Sequence, residues 1–516
     1  MVSDIASLAP SEDSTAIQPS VHAWMRAIQD STNRCDWTGV IRACAGGLEQ
    51  LSALTLGHHL DLSATYLDNL ALARSRYRKL RVHAVSECGA ETQAVVVGSE
   101  LSHNAAGRAH TLLLTHQQLG YQAKLLGCHF PLRSRKPVLW EPLQSLGLPL
   151  HTFVVSDHSL FFSQAWKLIL QHPADLVHLS KPRLPAVVFG LLYKLFWGAA
   201  VLMDIDDEEL CFVGESEAIC LEQLLRKYGQ LPSPENLMGP LWTRLAVDLG
   251  QRFDGTTVAN TALQQRYGGT VIPHGRDPEQ FRTLTPTKRC LARRRHGIPE
   301  DAKVVLFFGT PRRHKGLLEV AAAVAALPED LNPILVVAGG FPDAELENEL
   351  VVLLRPQRLR LLGNQPFHQA RNILALADLV ILLSSGEIAA FQSPAKLSDA
   401  LAVGLPVLVS DAAAPLREVI DRGWAVGAEP DHLCQQLQQW LCDPEALATQ
   451  SARARKGFEE ALALPVVAER LRSCVEAVLP SPGPVDHQLL MLLESLAPEL
   501  ATSLLSYHST RLGLLR

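Results

Sequence analysis

The chain has 516 residues, of which 47% are hydrophobic and 19% are charged, with a formal net charge of −6 and a pI near 6.3. This is an ordinary globular composition with enough apolar residues for large cores, and the length favours about three domains. The slightly acidic balance lacks the basic excess of nucleic-acid-binding proteins, so we expect no nucleic-acid partner. None of the ten cysteines forms a C-x-x-C pair, which indicates thiols in a reducing compartment.

The beginning of the chain is expected to carry no targeting signal. MVSDIASLAPSEDS has neither a basic n-region nor an apolar h-region, so we expect no signal peptide and a cytoplasmic protein. Residues 1–90 are predicted to be a helical region, because Trp24, Ala27 and Ile28 have the spacing of one helix face and similar leucines follow. We find no clean internal repeat there.

Short β-branched runs alternate with amphipathic helices from about residue 92. The predicted strands are AVVVGSE, KLLGCHF, HTFVVS, DLVHLS, AAVLMDI, TTVAN and TVIPHG. Helices are predicted between them, notably at 105–119, 159–170 and 185–196. Because strand–helix alternation is typical of a parallel, doubly wound sheet, we predict a Rossmann-like domain at 91–285.

Residues 184–203 are mostly apolar and have the length of a membrane span. Lys194 lies in the middle of this stretch and Pro185 near its start, and acidic residues follow at once. We interpret it as a buried helix followed by a buried strand, which agrees with its neighbours. Membrane contact is therefore expected to be peripheral at most.

A second alternating set follows the predicted linker RDPEQFRTLTPTKR. Its strands are KVVLFFG, NPILVVAGG, RLRLLG, DLVILLS, LPVLVS and a short AVGA. The predicted fold class is therefore α/β, with a second Rossmann-like domain at 286–478 and a C-terminal helical tail at 479–516.

The first chemistry-bearing motif is FFGTPRRHKGL at 307–317. A strand ends at Gly309, a cationic loop follows, and a helix starts near Gly316. Ligands in such folds bind at the carboxyl ends of strands, and a helix N-terminus beside Lys and Arg favours a diphosphate. A solvated basic loop is the alternative interpretation.

The second motif is SSGEIAAFQSPAKLSDALAVGLPVLVS at 384–410. Ser393 is predicted as the N-cap of a helix and Pro394 as its first residue. Lys396 and Asp399 are three residues apart on one face, so that Lys396 can add positive charge and Asp399 can accept hydrogen bonds from ribose hydroxyls. Alternatively, Asp399 only complements the helix dipole.

Together these motifs resemble the nucleotide-sugar half of a GT-B glycosyltransferase, most of all the retaining family 4. The matching pieces are G-T-P-R-x-x-K-G, S-P-x-K-L-x-D-A-L-A-x-G-x-P-V and Glu418 in PLREVI. VIPHGRDPEQF at 271–281 is similar to the interdomain segment of that family, usually V-I-P-N-G-V-D, and residues 104–121 resemble its acceptor-side loop and helix. The resemblance covers about 92–475.

The resemblance implies roles for individual residues. Lys315 and Arg312 would hold the donor diphosphate and act in catalysis, Asp399 would bind the ribose, and residues 363–366 would meet the nucleobase. The implied donor-binding set is Gly309, Thr310, Arg312, Lys315, Gly363, Asn364, Ser393, Pro394, Lys396, Leu397, Asp399 and Glu418.

On the acceptor side, the resemblance implies that Gly107 and Arg108 lie across the cleft. Many members carry His in a T-x-H-D strand-end motif, and here MDIDDEEL places Asp206 at that position, as a catalytic and acceptor-side candidate. Two further departures are Thr310, where the family usually has Arg, and the absence of an E-G-F-G motif.

The acidic run after the fifth strand has a second interpretation. Asp204 and Asp206 form a D-x-D pattern, which metal-dependent transferases of another fold use to chelate a divalent ion. Because the surrounding pattern is two Rossmann-like halves, we expect these acids to line the cleft, with no metal and no cofactor.

The expected activity is therefore transfer of a hexose from a nucleoside diphosphate sugar to a hydroxyl, with retention, in polysaccharide or glycoconjugate synthesis. The acceptor would be a glycan, a lipid-linked or a protein hydroxyl. Two alternatives stay open: a GT-B binding or scaffold protein that has lost catalysis, and a sugar-nucleotide epimerase of the same fold.

Overall fold

The computed structural model describes residues 18–53, 60–102, 104–131, 139–233, 236–283, 285–411 and 413–496. The remaining parts of the predicted helical region and tail, residues 1–17, 54–59 and 497–516, lie outside the described residues.

The predicted N-terminal helices are α1 (Gln18–Asn33), α2 (Trp37–Ala53) and α3 (Leu60–Ser86). Glycines inside α2 admit large rings: a Cβ on Gly46 would lie 2.4 Å from the Trp24 ring, and one on Gly47 would lie 2.5 Å from the Tyr66 ring. Glycine is unfavourable in a helix interior, so the lower helix propensity of α2 accompanies close packing of the two rings against its backbone. The helices share one apolar core with the first half of the chain.

A seven-stranded parallel sheet forms the first half, in the order β3-β2-β1-β4-β5-β6-β7. Its strands are β1 (Gln93–Gly98), β2 (Gln122–His129), β3 (Leu150–Val154), β4 (Leu176–Ser180), β5 (Ala200–Ile205), β6 (Gly255–Val258) and β7 (Thr270–Val271). Its helices are α4 (Ala106–Gln118), α5 (Glu141–Ser145), α6 (Phe161–Gln171), α7 (Leu184–Phe196), α8 (Glu209–Phe212), α9 (Leu221–Tyr228), α10 (Pro240–Gly250) and α11 (Thr261–Tyr267). The doubly wound architecture is as predicted.

The apolar stretch 184–203 consists of α7 and β5, and both are buried within the first half. The Lys194 ammonium is neutralised by Asp254 at 2.8 Å, which allows a lysine inside an otherwise apolar helix. Within the described ranges, none of the helices combines the length and apolarity that a bilayer crossing requires. The predicted helix followed by a buried strand is confirmed.

A six-stranded parallel sheet forms the second half, in the order β10-β9-β8-β11-β12-β13. Its strands are β8 (Lys303–Phe308), β9 (Pro333–Ala338), β10 (Leu359–Gly363), β11 (Leu379–Leu382), β12 (Val407–Ser410) and β13 (Val426–Ala428). The helices that follow α11 in this part are α12 (Pro286–Arg295), α13 (Leu317–Ala326), α14 (Ala344–Leu353), α15 (Ala370–Leu374), α16 (Ala395–Ala402), α17 (Ala414–Asp421), α18 (Leu433–Cys442) and α19 (Pro444–Gly457).

The last described helices return to the first half. They are α20 (Leu464–Val478) and α21 (His487–Leu496). Val467, Leu471 and Val475 of α20 share a core with Leu112 and Leu113 of α4, while Leu489 and Leu493 of α21 belong to the large core of the first half, which also contains residues of α1–α3. The end of the predicted 286–478 unit therefore packs on the first domain.

The chain thus crosses between the halves twice, and the two crossings are joined at Arg276. Its backbone N–H donates to the Leu462 carbonyl at 3.0 Å, and the Leu464 N–H donates to the Arg276 carbonyl at 2.8 Å. The Arg276 guanidinium forms an ion pair with Asp399 on α16. The junction between the two halves is therefore fixed by backbone hydrogen bonds and an ion pair at one residue.

Three local details differ from the sequence prediction. β7 ends at Val271 instead of continuing through Pro273, because proline has no N–H for a ladder. The predicted linker already contains the start of α12, where Thr285 is the N-cap and Pro286 the first residue. The N-cap of α16 is Pro394, not Ser393, and no side chain caps it.

We predict that Gly339→Ala destabilises the second half. A Cβ at Gly339 would lie 2.0 Å from the Gly309 carbonyl oxygen, so the ends of β8 and β9 would have to separate. Overpacking of this kind costs about 1–3 kcal/mol, measurable as a lower urea midpoint. Gly427→Ala, whose Cβ would lie 3.5 Å from Ile420, is the matched control, and equal midpoints for the two variants would contradict the prediction.

Candidate functional site

A cleft of about 650 Å³ lies between the halves, at the carboxyl ends of both sets of strands. This is where open α/β sheets bind ligands. The structure brings many of the predicted site residues together in its lining, namely Gly107, Arg108, Asp206, Gly309, Thr310, Lys315, Ser393, Pro394 and Lys396. Both halves therefore contribute to one site.

The second half lines the cleft with two lysines. Lys315 ends the loop after β8 and donates from Nζ to the Thr310 carbonyl at 3.1 Å. Lys396 Nζ, on the first turn of α16, lies 5.8 Å from the centre of the Phe308 ring. In the part of the chain that the structure describes, neither ammonium is paired with a carboxylate. Such unpaired cations in a cleft are suited to an anionic ligand.

The surroundings of both lysines lower their pKa values. Burial, with Lys396 and Arg312 nearby, lowers the pKa of Lys315 to about 8. Burial also lowers the pKa of Lys396, and the partial compensation by Asp399 is opposed by Arg276. An anion between the lysines would relieve both the repulsion and the desolvation.

On the opposite wall, Arg108 of α4 is locked by Asp204 at the end of β5. Its Nε and Nη2 donate to the two carboxylate oxygens at 2.8 and 2.7 Å, and Nη2 also donates to the Ile272 carbonyl at 2.7 Å. Thr257 donates to the same carboxylate at 2.7 Å. Arg108 Nη1 is buried and has no hydrogen-bond partner among the described residues, which leaves it a donor for a ligand.

Polar contacts continue behind Asp204 into the core. Thr257 lies 2.8 Å from His178 Nε2, and His178 Nδ1 lies 3.0 Å from His116 Nε2. Burial lowers the pKa of both histidines, so they are neutral there. The row of groups holds the Asp204 carboxylate in one orientation, and through it the arginine at the cleft.

Beyond Arg108, the first half lines the cleft with an acidic cluster around Lys181. The ammonium of Lys181 lies 2.8 Å from Asp206, 2.9 Å from Asp207 and 3.5 Å from Glu209. Lys181 adopts a left-handed backbone with φ of 70°, an unfavourable conformation for lysine. Its backbone N–H donates to the Asp204 carbonyl at 3.0 Å and its carbonyl accepts from the Arg183 N–H at 2.8 Å, and these bonds accompany the strained conformation.

Asp206 has an unusual environment for a carboxylate. Burial raises its pKa, Lys181 lowers it, and Asp207 and Asp204 raise it again, with a net upward shift. Oxygen atoms of Asp206, Asp207 and Glu209 lie within 4.8 Å of one another, a suitable donor set for a divalent cation. However, the Lys181 ammonium already supplies positive charge at their centre, and a metal ion would have to displace it. Activity without a metal stays a prediction.

Contacts between the halves close the cleft at two places. At one end the His110, Trp140 and Phe367 rings are 5.8–6.3 Å apart. At the other, Gln392 donates to Asp207 at 3.4 Å. Because Phe367 and Gln392 belong to the second half, the halves are held together on both sides of the cleft.

Several predicted donor residues lie away from the cleft surface. The Asp399 carboxylate is bound to Arg276, and Glu418 accepts from Thr261 at 3.0 Å and from Arg422 at 2.9 Å. Arg312 is exposed on the loop. Neighbouring polar groups bind both carboxylates in this structure, and the expected contacts of these three residues with a donor stay predictions.

The other three predicted residues have structural contacts. Leu397 is a core residue with 3% exposure. Asn364 accepts from the Gly340 N–H at 2.8 Å, and Gly363 has a φ of 63° in the turn before it. Their proposed roles toward a donor stay predictions.

Some residues that line the cleft were not among the predicted site residues, namely Lys181, His274, Trp140 and Phe367. Lys181 directly follows β4, so its place at a strand end could have been recognised. His274 lies within the interdomain segment that was singled out. Nothing in the sequence pattern indicated Trp140 or Phe367, which meet only when the halves come together.

Residues 289–457 match the family Glycosyl transferases group 1. A curated relative, TuaC of Bacillus subtilis, whose name assigns it to teichuronic acid biosynthesis as a glycosyltransferase, is 28% identical over 145 residues. That match covers 28% of this chain and 34% of TuaC, so it spans about a third of the length of the relative.

Solved structures resemble the larger part of the chain. HepE of Anabaena in complex with UDP and glucose aligns with a TM-score of 0.57 and 17% identity, over 75% of this chain and all (100%) of that one. A sucrose-phosphate synthase from Thermosynechococcus elongatus aligns with a TM-score of 0.54 and 16% identity, over 74% and 98%. The chain therefore has the two-domain GT-B fold, and its residues 289–457 are similar to the family Glycosyl transferases group 1.

Proposed function

We propose that the protein transfers a hexose from a nucleoside diphosphate sugar to an acceptor hydroxyl, with retention of configuration. The observation that carries this proposal is the pair Lys315 and Lys396, whose ammonium groups line the cleft without a carboxylate partner in the described chain. A diphosphate supplies the missing negative charge. HepE, which was crystallised with UDP and glucose, supports a uridine nucleotide as the donor.

The lysines would act mainly on the leaving group. As the bond from the sugar to the diphosphate breaks, negative charge grows on the phosphate oxygen, and two fixed ammonium groups stabilise it. The acceptor oxygen forms the new bond on the same face of the sugar. Its proton passes to the departing phosphate oxygen, so no protein base is needed and configuration is retained.

The acceptor would bind at the other end of the cleft. The carboxylates of Asp206 and Asp207 accept hydrogen bonds from hydroxyls, and Lys181 fixes their orientation. The closed contacts at Trp140 and Gln392 would exclude water from the transfer. TuaC supports a role in glycan synthesis, and a glycan, lipid-linked or protein hydroxyl remains the proposed acceptor class.

The cytoplasm is the proposed site of action, without a bound metal or cofactor. Incubation with labelled sugar nucleotides separates the three interpretations of the fold. A glycosyltransferase gives a transferred sugar or slow hydrolysis, an epimerase gives the epimeric nucleotide sugar, and a protein that has lost catalysis gives neither although it still binds UDP.

Lys315→Ala is expected to weaken donor binding. Loss of one charge-assisted contact costs about 2 kcal/mol, which is roughly 30-fold in Kd. UDP should raise the melting temperature of the wild-type protein and have a much smaller effect on the variant. Lys456→Ala removes an exposed lysine that pairs with Glu460 and should respond as wild type. A full thermal shift in Lys315→Ala would refute the assignment.

Donor affinity should also depend on pH. Since the pKa of Lys315 is about 8 in the free protein, binding above this pH requires uptake of a proton. The Kd for UDP is therefore expected to rise as the pH increases from 8 to 10. Titration calorimetry of Lys315→Arg, which keeps its charge, should show a flatter profile over this range. Parallel profiles would show that Lys315 does not contact the anion.

Asp206→Asn should lower the turnover of acceptor. Loss of a charged hydrogen-bond acceptor should raise the activation free energy that kcat/KM reports by about 2 kcal/mol. Because the pKa of Asp206 is raised, wild-type kcat/KM for the acceptor should fall as the pH drops through this pKa, well above the usual value near 4. That limb should be absent from the profile of Asp206→Asn and present in that of the control Asp431→Asn. If the limb persists in Asp206→Asn, another group titrates.

A further inference from the structure

His274 lies between the groups that the two halves contribute to the cleft. It is on the crossing segment between the halves, two residues before Arg276, and it lines the same cleft as the lysines. Charged groups face it from each side: Arg108 and Lys181 from the first half, and Lys396 from the second. The residue is therefore placed between the proposed diphosphate site and the proposed acceptor site.

One ring nitrogen of His274 is free. Nδ1 is buried and has no hydrogen-bond partner among the residues that the structure describes. Buried polar atoms in proteins are nearly always paired, because an unpaired one has lost its water without replacement. Because His274 lines the ligand cleft, a bound ligand can supply the partner that Nδ1 lacks.

The surroundings of His274 also limit the chemistry of that partner. Burial lowers the pKa of His274 well below its ordinary value, and the nearby Arg108, Arg276, Lys181 and Lys396 lower it further. The ring is therefore neutral, with one nitrogen that donates and one that accepts. Such a group is suited to a hydroxyl, which can do both.

The other groups in the cleft leave one substrate part without a partner. Lys315 and Lys396 match the phosphates, and the carboxylates at Lys181 match the acceptor hydroxyl. The sugar being transferred must lie between these two sites, and His274, with Lys181 and Lys396 on either side of it, is a neutral polar residue placed to meet it. Resting on the proposed function, we infer that His274 binds a hydroxyl of the transferred sugar and holds its ring in position for transfer.

The test uses the full-length protein with UDP-glucose, or with whichever sugar nucleotide the wild-type protein consumes. His274→Ala is expected to lower kcat about 100-fold, the usual effect of losing a well-placed hydrogen bond in the transition state. Hydrolysis of the donor without acceptor should fall as much as transfer does, since both reactions use the same sugar. His274→Asn, which keeps a donor and an acceptor, should recover part of the loss.

Binding of UDP alone provides the control for folding. Because UDP lacks the transferred sugar, its Kd and its thermal shift should be unchanged in both variants. His432→Ala removes a histidine that is paired with Glu429 and lies outside the cleft lining, and it should behave as wild type in every assay.

The alternative outcomes are distinct. A loss of transfer with unchanged hydrolysis would assign His274 to the acceptor and overturn the inference. Loss of UDP binding would show a structural role, and unchanged rates would show no role, so either would also overturn it. A wild-type protein that neither binds nor consumes any sugar nucleotide would instead refute the proposed function itself.

Discussion

The ion pair between Arg276 and Asp399 is the constraint on which the rest of the site depends. Both side chains are largely buried, and Arg276 also bonds through its backbone to the second crossing at Leu462 and Leu464. Breaking such a pair leaves a buried charge without compensation, which is strongly unfavourable. Because α16 carries both Asp399 and Lys396, this pair fixes where Lys396 points relative to the first half. The junction at Arg276 therefore determines how the two walls of the cleft are placed.

The two walls of the cleft differ in charge. The second half presents lysines that have no carboxylate partner among the described residues, whereas the first half presents carboxylates that share one lysine. A substrate that is anionic at one end and rich in hydroxyls at the other complements both walls. The contacts at Trp140, Phe367 and Gln392 join the halves through rings and an amide that donates to the Asp207 carboxylate, so they lack an ion pair like that of Arg276.

Much of this arrangement could be predicted from the sequence because it is local. Strand–helix periodicity indicated both sheets, and the loop after β8 and the start of α16 gave Lys315 and Lys396. The contacts of Asp399 and Glu418 could not be predicted, because their partners Arg276 and Thr261 lie more than a hundred residues away in sequence. Lys181 is different, because its position directly after β4 was visible in the sequence, whereas its ion pairs with the acids after β5 depend on β4 and β5 being neighbours in the sheet.

The return of α20 to the first half has a consequence for how the protein is made. Leu112 and Leu113 of α4 are covered by Val467 and Leu471, which a ribosome delivers only after the whole second half has been synthesised. Although domains generally fold in order of synthesis, this one remains unfinished, with an apolar helix face uncovered, until its neighbour is complete. A chain whose translation stops before residue 464 would therefore expose the apolar face of α4, a surface that chaperones would have to bind.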